Sequence, residues 1–201
     1  LPNTSTLVKN GTITAIGPDL VAEPGMTVIE ATGRYVMPGI IDTHSHIMIS
    51  NGLGGVNEAT ASIVCEVRVR DVVNSADASE YRALAGGTTT ARLLHGSANC
   101  IGGQDAVVQL KHGTSAAEHL FLGAHSGVKF ALGENVKFRQ GRFPNTRLGV
   151  EATLNRAFLE ALDYRRTWLE FEKTRQQAGA DADKLLPPRR DLRLEALADI
   201  I

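Results

Sequence analysis

The sequence has few cysteines, almost no net charge and no long apolar run, and each shortage excludes a class of protein. Two cysteines, Cys65 and Cys100, cannot form a disulfide framework. A single bridge between them is an alternative, but free buried thiols are the expectation. A formal net charge of −1 gives no electrostatic basis for binding nucleic acid or a membrane surface. No apolar stretch approaches the ~20 residues that span a bilayer.

What the chain does contain is a soluble, core-forming composition and one informative stretch, residues 38–46, which read Pro-Gly-Ile-Ile-Asp-Thr-His-Ser-His. Its apolar residues predict a buried strand that Pro-Gly introduces. Residues i and i+2 of a strand point to the same face, so His44 and His46 can aim two imidazoles at one divalent metal ion. Asp42 shares that face and is expected to hold a ligand by a hydrogen bond. The alternative is a pair of structural histidines at a strand end.

Other segments predict alternating β and α structure. Asn10-Gly11 predicts a two-residue hairpin between strands at 6–9 and 12–17, and a third strand is predicted at 27–31. Later strands are predicted at 88–94, 107–111 and 127–132. Helices are predicted at 78–85 after Asp77, from 145 or 146 to about 177, and from 192 to 201. The long helix is expected either to contain a break or to extend away from the barrel, and residues 58–73 fit either a helix or a strand.

The motif at 38–46 resembles the first barrel strand of the amidohydrolase superfamily. Three further segments extend the resemblance towards its imidazolonepropionase-like and prolidase-like branch: Ala-Gly-Gly-Thr-Thr-Thr at 85–90, Leu-His-Gly-Ser-Ala-Asn at 94–99 and Val-Lys-Phe-Ala-Leu-Gly-Glu-Asn at 128–135. The resemblance implies an α/β fold, a (β/α)8 barrel of TIM type beside a small β-sandwich. Such a barrel takes roughly 250 residues. The 201 residues are therefore expected to be an N-terminal fragment, with 1–37 in the sandwich and 38–201 forming about the first four barrel strands.

The resemblance also implies a metal centre. Lys129 lies in an apolar predicted strand, where a lysine is costly unless neutralised or paired. In this superfamily such a lysine carries a CO2-derived carbamate that bridges metals, so the expected ligands are His44, His46 and carboxylated Lys129. One or two divalent ions are expected, zinc first, with iron, manganese or nickel as alternatives. The alternative for Lys129 is an exposed lysine, or one paired with Glu134.

Further site residues follow from the expected position of the loops at the catalytic end of the barrel. The loop after the second strand supplies the predicted substrate-binding residues His95, Ser97, Asn99 and Gln104. Glu134 is expected beside the metal ligands, where it orients groups that touch substrate. A group of loop arginines at 139, 142 and 147 could pair with a substrate carboxylate, but the expectation is that they are solvated. The catalytic aspartate that moves the proton is expected beyond Ile201.

The expected function is metal-dependent hydrolysis of an amide, peptide or cyclic amide C–N bond, with a small amide or peptide-like substrate, no nucleic acid and no membrane partner. The 201 residues alone are expected to be inactive. A homologue that keeps the fold for binding or assembly without catalysis is the main alternative, and a metal-binding module unrelated to hydrolysis is a weaker one. A homo-oligomer is compatible with the sequence. A cytoplasmic location is favoured over an exported one.

Overall fold

The first of two structural units contains a β-hairpin. The structure, a computed structural model, describes residues 3–49, 55–137 and 141–201, and the chain divides into units 1–38 and 39–201. Strands β1 (Ser5–Lys9) and β2 (Thr12–Gly17) pair antiparallel. Asn10 and Gly11 between them have φ values of +50° and +73°. Two left-handed residues are what a type I′ turn requires, so the predicted hairpin is confirmed.

The strand predicted at 27–31 is wrong. Residues 26–31 form no strand, and Val28 and Ile29 are 72% and 83% exposed. Their β-branched side chains favour extended backbone, but a strand also needs a hydrogen-bonded neighbour. Within residues 3–38, β1 and β2 pair only with each other.

The second unit is built on two small sheets. In the first, β4 (Thr88–Leu93) lies between β3 (Ile40–Ser45), which it pairs with in parallel, and β6 (Ala106–Gln109), which runs antiparallel. In the second, β5 (Ile101–Gln104) pairs antiparallel with β7 (Val128–Phe130). The predicted mixed α/β class is confirmed.

The directions of two strands correct the expectation of four successive parallel strands. Strands form at 106–109 and 128–130, close to the predicted 107–111 and 127–132, but both have antiparallel partners. Residues 94–100 turn the chain back after β4, and only Asp105 separates β5 from β6. The connection from β4 to β6 is residues 94–105 and contains β5 but no helix, whereas a parallel neighbour is usually reached through a crossover helix.

Short helices begin where the sequence places their caps. Helix α1 (Ala78–Ala85) starts after Asp77, whose carboxylate accepts the Ser79 N–H at 2.8 Å. Helix α4 (Leu192–Ala198) starts after Asp191, which accepts the Leu194 N–H at 3.0 Å. Both predicted helices are confirmed. The four-residue α2 (Ala116–His119) is not foreseen by the pattern.

The long helix α3 (Arg147–Ala178) runs for 32 residues without interruption. Of the two alternatives, the break is therefore wrong, and extension away from a barrel stays a prediction. Gly179 ends the helix with φ of +58° and ψ of −118°, a backbone conformation that glycine adopts without steric cost. Helix α4 packs against α3, and this pair closes one side of the unit.

Two clusters of buried side chains form the core of the second unit. One packs β5 and β7 against α3 and α4, and its buried residues are Ile63, Cys65, Cys100, Ile101, Ala131, Val136, Val150, Ala157, Ala161 and Leu197. The other packs beneath β4 and β6, and comprises Met48, Ile49, Val69, Ala91, Leu93, Ala106, Val108 and Leu110. Residues 58–68 form neither predicted element: they are irregular, with isolated bridges to β5, and a 3-10 turn follows at Val69–Val72. No helix in the described ranges is long and apolar enough to cross a membrane.

Candidate functional site

His44 lies in strand β3, and His46 directly follows the end of that strand at Ser45. Ser45, between them, is 6% exposed and points to the core, so His44 and His46 point the other way. Their ring centroids are 5.4 Å apart, with planes at 85°. Asp42 accepts the His44 backbone N–H at 3.1 Å and fixes the strand immediately before the pair. Two imidazoles this close on one face can contribute ligands to one metal ion, and that role stays a prediction.

The end of β4 sets the orientation of the His46 ring. Nδ1 of His46 lies 2.8 Å from the carbonyl oxygen of Leu94. A carbonyl only accepts, so Nδ1 carries the proton and Nε2 carries the lone pair. Leu94 is itself fixed, because its N–H donates to the Ser45 carbonyl at 2.9 Å. Metal-binding histidines commonly donate their second ring N–H to a carbonyl in this way.

His95 lies next to this carbonyl and is buried, with 4% exposure. Its Nδ1 donates to the Gly96 carbonyl at 3.0 Å, and its Nε2 accepts the Glu58 N–H at 2.9 Å. The ring lies on the bare backbone of β5, where a Cβ on Gly102 would come within 2.6 Å of Nδ1. Both ring nitrogens are thus bonded to backbone groups, and a contact with substrate, as the sequence predicts, would have to use a ring edge.

Charged side chains from several chain segments influence the pKa of His95. Burial lowers the pKa of His95 most, and the hydrogen bond to Gly96 and the Glu58 carboxylate oppose that decrease. His46 and Lys129 lower the pKa further, because each lies close enough for its positive charge to disfavour a second one. Lys129 on β7 is half-buried. The structure therefore brings His46, His95 and Lys129 into one region, although β7 is not the parallel neighbour that the sequence predicts.

Two more of the predicted substrate-binding side chains hold an irregular segment, residues 55–68, which we call the strap. Asn99 is fully buried, and its amide nitrogen donates to the carbonyls of Glu58 and Ala61 at 2.6 and 2.7 Å. Gln104 donates to the Cys65 carbonyl at 3.0 Å. These contacts fasten the strap over β5, a structural task that the sequence does not reveal.

Ser97 and Glu134 lie nearer the surface. The Ser97 hydroxyl accepts a hydrogen bond from the Asn135 side chain at 2.7 Å, which joins the turn after β4 to the segment after β7. Glu134 is paired with Lys137 at 2.5 Å and with Arg147 at 3.6 Å. The hydrogen bond from Lys137 and the charges of both partners lower the pKa of Glu134. Ion pairing of Glu134 with Lys129, an alternative from the sequence, is thus replaced by these two partners.

Arg142 has a structural role that the sequence does not indicate. Its guanidinium group donates to the carbonyls of Ala59, Ala61, Ala98 and Val136. The expectation that it is solvated is wrong, while Arg147 is 79% exposed as expected. Arg139 lies outside the described residues. An arginine in a Gly- and Pro-punctuated stretch is typical of a loop charge, so no sequence signal marks Arg142 as a half-buried side chain that binds four carbonyls.

A metal site at these residues stays a prediction. Among them, no group of three or more His, Cys, Asp or Glu side chains could hold a metal ion. The arrangement instead offers two imidazoles and a nearby lysine, beside polar groups at the ends of β4 and β7.

Comparisons with known proteins place these features in context. No protein-family model matches the chain. The chain is 32% identical over 212 residues to the amidohydrolase tasK of Hapsidospora irregularis, a match that covers 95% of this chain and 21% of the relative. It is 49% identical over 43 residues to dihydropyrimidinase 1 of Caenorhabditis briggsae, covering 21% of this chain and 9% of that protein.

A solved structure extends the likeness to the whole fold. The crystal structure of an amidohydrolase from Thermotoga maritima superposes with a TM-score of 0.77 at 29% identity. The superposition covers 96% of this chain and 49% of that chain. The chain thus spans about a fifth of the fungal relative and about half of the bacterial structure.

Proposed function

Because this chain belongs to the amidohydrolase superfamily, we propose that it forms the metal-binding and part of the substrate-binding region of a hydrolase that cleaves the C–N bond of a cyclic amide. The observation that carries this proposal is the pair His44 and His46, whose ring centroids lie 5.4 Å apart at the end of β3. The bond from His46 Nδ1 to the Leu94 carbonyl supports it, because it fixes the tautomer that a ligand needs.

The residues present fit a divalent metal ion as part of its ligand set. His46 would offer Nε2, and His44 would offer a nitrogen of the adjacent ring. Lys129 would complete the set as a carbamate, since carboxylation replaces a cation that the neighbouring histidines disfavour with an anion that a metal attracts. When bound, the metal supplies a polarised carbonyl and a nucleophile at neutral pH. Zinc is the first expectation for two imidazoles, with iron, manganese or nickel as alternatives.

The other residues of the proposed site would bind the substrate and hold the metal ligands in place. Burial lowers the pKa of His95, which favours the neutral ring and disfavours a further positive charge beside the proposed ligands. Ser97 and Asn135 present hydroxyl and amide groups at the ends of β4 and β7, where they can hydrogen bond to the amide of a substrate. Asp42 keeps the backbone of His44 in place.

The substrate class comes from the relatives. The name dihydropyrimidinase denotes action on a dihydropyrimidine, and a dihydropyrimidine with a ring carbonyl beside nitrogen is a cyclic amide. A cyclic amide presents a carbonyl and an N–H in fixed geometry, which suits a site made of a few convergent polar groups.

The first experiment measures metal binding. The 201-residue chain is titrated with Zn2+ in bicarbonate buffer by calorimetry, and its metal content is determined by elemental analysis. His44→Ala and His46→Ala should each abolish tight binding, and Lys129→Ala should reduce the number of ions bound. The matched control is His125→Ala, an exposed histidine on the loop before β7. Equal affinity in all four variants would contradict the proposed ligand set.

The second experiment measures turnover. The longest natural polypeptide that contains this chain is assayed for opening of a dihydropyrimidine ring by loss of ultraviolet absorbance, and for hydrolysis of N-acyl amino acids and dipeptides. Turnover that disappears on metal removal and returns with Zn2+ supports the proposal. Metal binding without turnover of any of these amides would favour a non-catalytic homologue.

A further inference from the structure

We propose that Arg142 is a positioning residue of this site: it fixes the turn that carries the Leu94 carbonyl, and through that carbonyl it fixes the ring of His46. The inference rests on the proposed function in one respect, since it takes His46 as a metal ligand. It concerns how the chain holds that ligand, which neither the motif nor the likeness to known proteins describes.

Arg142 connects three chain segments that are distant in sequence. One terminal nitrogen, Nη1, donates to Ala59 O at 2.6 Å and Ala61 O at 3.1 Å, both in the strap. The other, Nη2, donates to Ala98 O after β4 and to Val136 O after β7 at 3.3 Å. A planar guanidinium presents its donors in a fixed fork, which a lysine ammonium cannot reproduce.

The strap passes this constraint to the turn after β4. Val56 O accepts the Gly96 N–H at 2.6 Å, and Asn57 Oδ1 accepts the Ala98 N–H at 3.1 Å. The Glu58 N–H donates to His95 Nε2 at 2.9 Å, which forces the proton of that ring onto Nδ1. With Ala98 O also bound to Arg142, every residue from 95 to 98 except Ser97 is bonded to the strap or to the guanidinium group.

The turn then sets the metal ligand. Leu94 directly precedes His95, and its carbonyl accepts the His46 Nδ1 proton at 2.8 Å. The Ser45 carbonyl fixes the amide of Leu94 from the β3 side, so the orientation of its own carbonyl depends on the turn that follows. Loss of groups that orient a ligating histidine typically weakens metal binding about 10- to 100-fold.

The test compares Arg142→Ala and Arg142→Lys in the 201-residue chain with Arg166→Ala, an exposed arginine of α3 that serves as the control. Long-range 1H–15N NMR gives the tautomers of His46 and His95 without metal, and calorimetry gives the Zn2+ affinity. In the wild type both rings should carry the proton on Nδ1. Arg142→Ala and Arg142→Lys should lose this single tautomer at His95 and bind Zn2+ about 10- to 100-fold more weakly. N-methylguanidinium should restore the tautomer in Arg142→Ala.

The outcomes separate this inference from the proposed function. Wild-type tautomers and wild-type Zn2+ affinity in a folded Arg142→Ala overturn the inference. If Arg142→Ala does not fold, Arg142→Lys decides by the same two readouts, because four bonds to carbonyls need the guanidinium fork. If the wild type binds no Zn2+ but the His95 tautomer still changes in the Arg142 variants, the proposed function fails and the positioning by Arg142 stands.

Discussion

Gly102 lies under the imidazole of His95, and one added methyl group there tests how tightly the site is packed. A Cβ on Gly102 would lie 2.6 Å from Nδ1 and 3.2 Å from Cγ of His95, and real Cβ contacts essentially never fall below 3.0 Å. The ring cannot move aside at low cost, because Nδ1 is bonded to Gly96 O and Nε2 to the Glu58 N–H. Gly102→Ala must therefore displace either the ring or strand β5.

Both routes cost a similar amount. Forcing extra volume into a packed core typically costs about 1–3 kcal/mol. If the ring leaves instead, two buried hydrogen bonds are lost at about 1 kcal/mol each, and their buried partners are left unpaired. We expect a loss of about 3 kcal/mol in the free energy of unfolding. For a chain of this size that corresponds to a decrease in Tm of roughly 6–12 °C.

The assay is urea unfolding followed by circular dichroism at 222 nm, which reports on residues 39–201 because the α-helices α1 to α4 of the described ranges lie there. Gly133→Ala is the matched control, since a Cβ at Gly133 would meet nothing within 4 Å. We expect Gly102→Ala, but not Gly133→Ala, to lower the urea concentration at the midpoint of unfolding while the m-value stays unchanged. If both variants unfold within about 0.5 kcal/mol of each other, the reasoning about His95 is wrong.

Two further predictions follow from buried groups. Burial raises the pKa of Cys65 to about 12, so the reactive thiolate is scarce at pH 8. Iodoacetamide should therefore modify Cys65 slowly in the native chain and quickly in urea. Rapid labelling of Cys65 in the native chain, measured by mass spectrometry, would contradict this prediction. The Asp105 side chain is 4% exposed, and its carboxylate accepts a hydrogen bond from Arg92 Nε at 2.7 Å. Asp105→Asn should lower the free energy of unfolding in urea by about 2 kcal/mol, less than for a fully buried ion pair because Arg92 is partly exposed. Asp163→Asn, on an exposed pair of α3, is its control and should change little.

Local sequence patterns were sufficient to predict many of the strands, turns and helix ends. The Asn10-Gly11 turn, the helix that begins after Asp77 and the end of α3 at Gly179 each depend on residues within one turn of the feature. The strand that ends at Ser45 also follows from the sequence, because an apolar run and a period of two need no distant partner. Its predicted burial is wrong, since Ile40 and Ile41 are 45% and 66% exposed. The strand predicted at 27–31 fails for the same reason, since its propensity is local but strand pairing is not.

The sequence by itself determined the hairpin, the strand that carries His44 and the start of three helices, because each of these depends on neighbouring residues. Only the tertiary structure decided that β6 runs antiparallel to β4, and that Asn99 and Gln104 bind the strap. It also decided that the half-buried Arg142 binds four carbonyls, because its partner Ala59 lies 83 residues away. A side chain's hydrogen-bond partner is whichever backbone group the fold brings within about 3 Å, and no pattern of neighbouring residues encodes that distance.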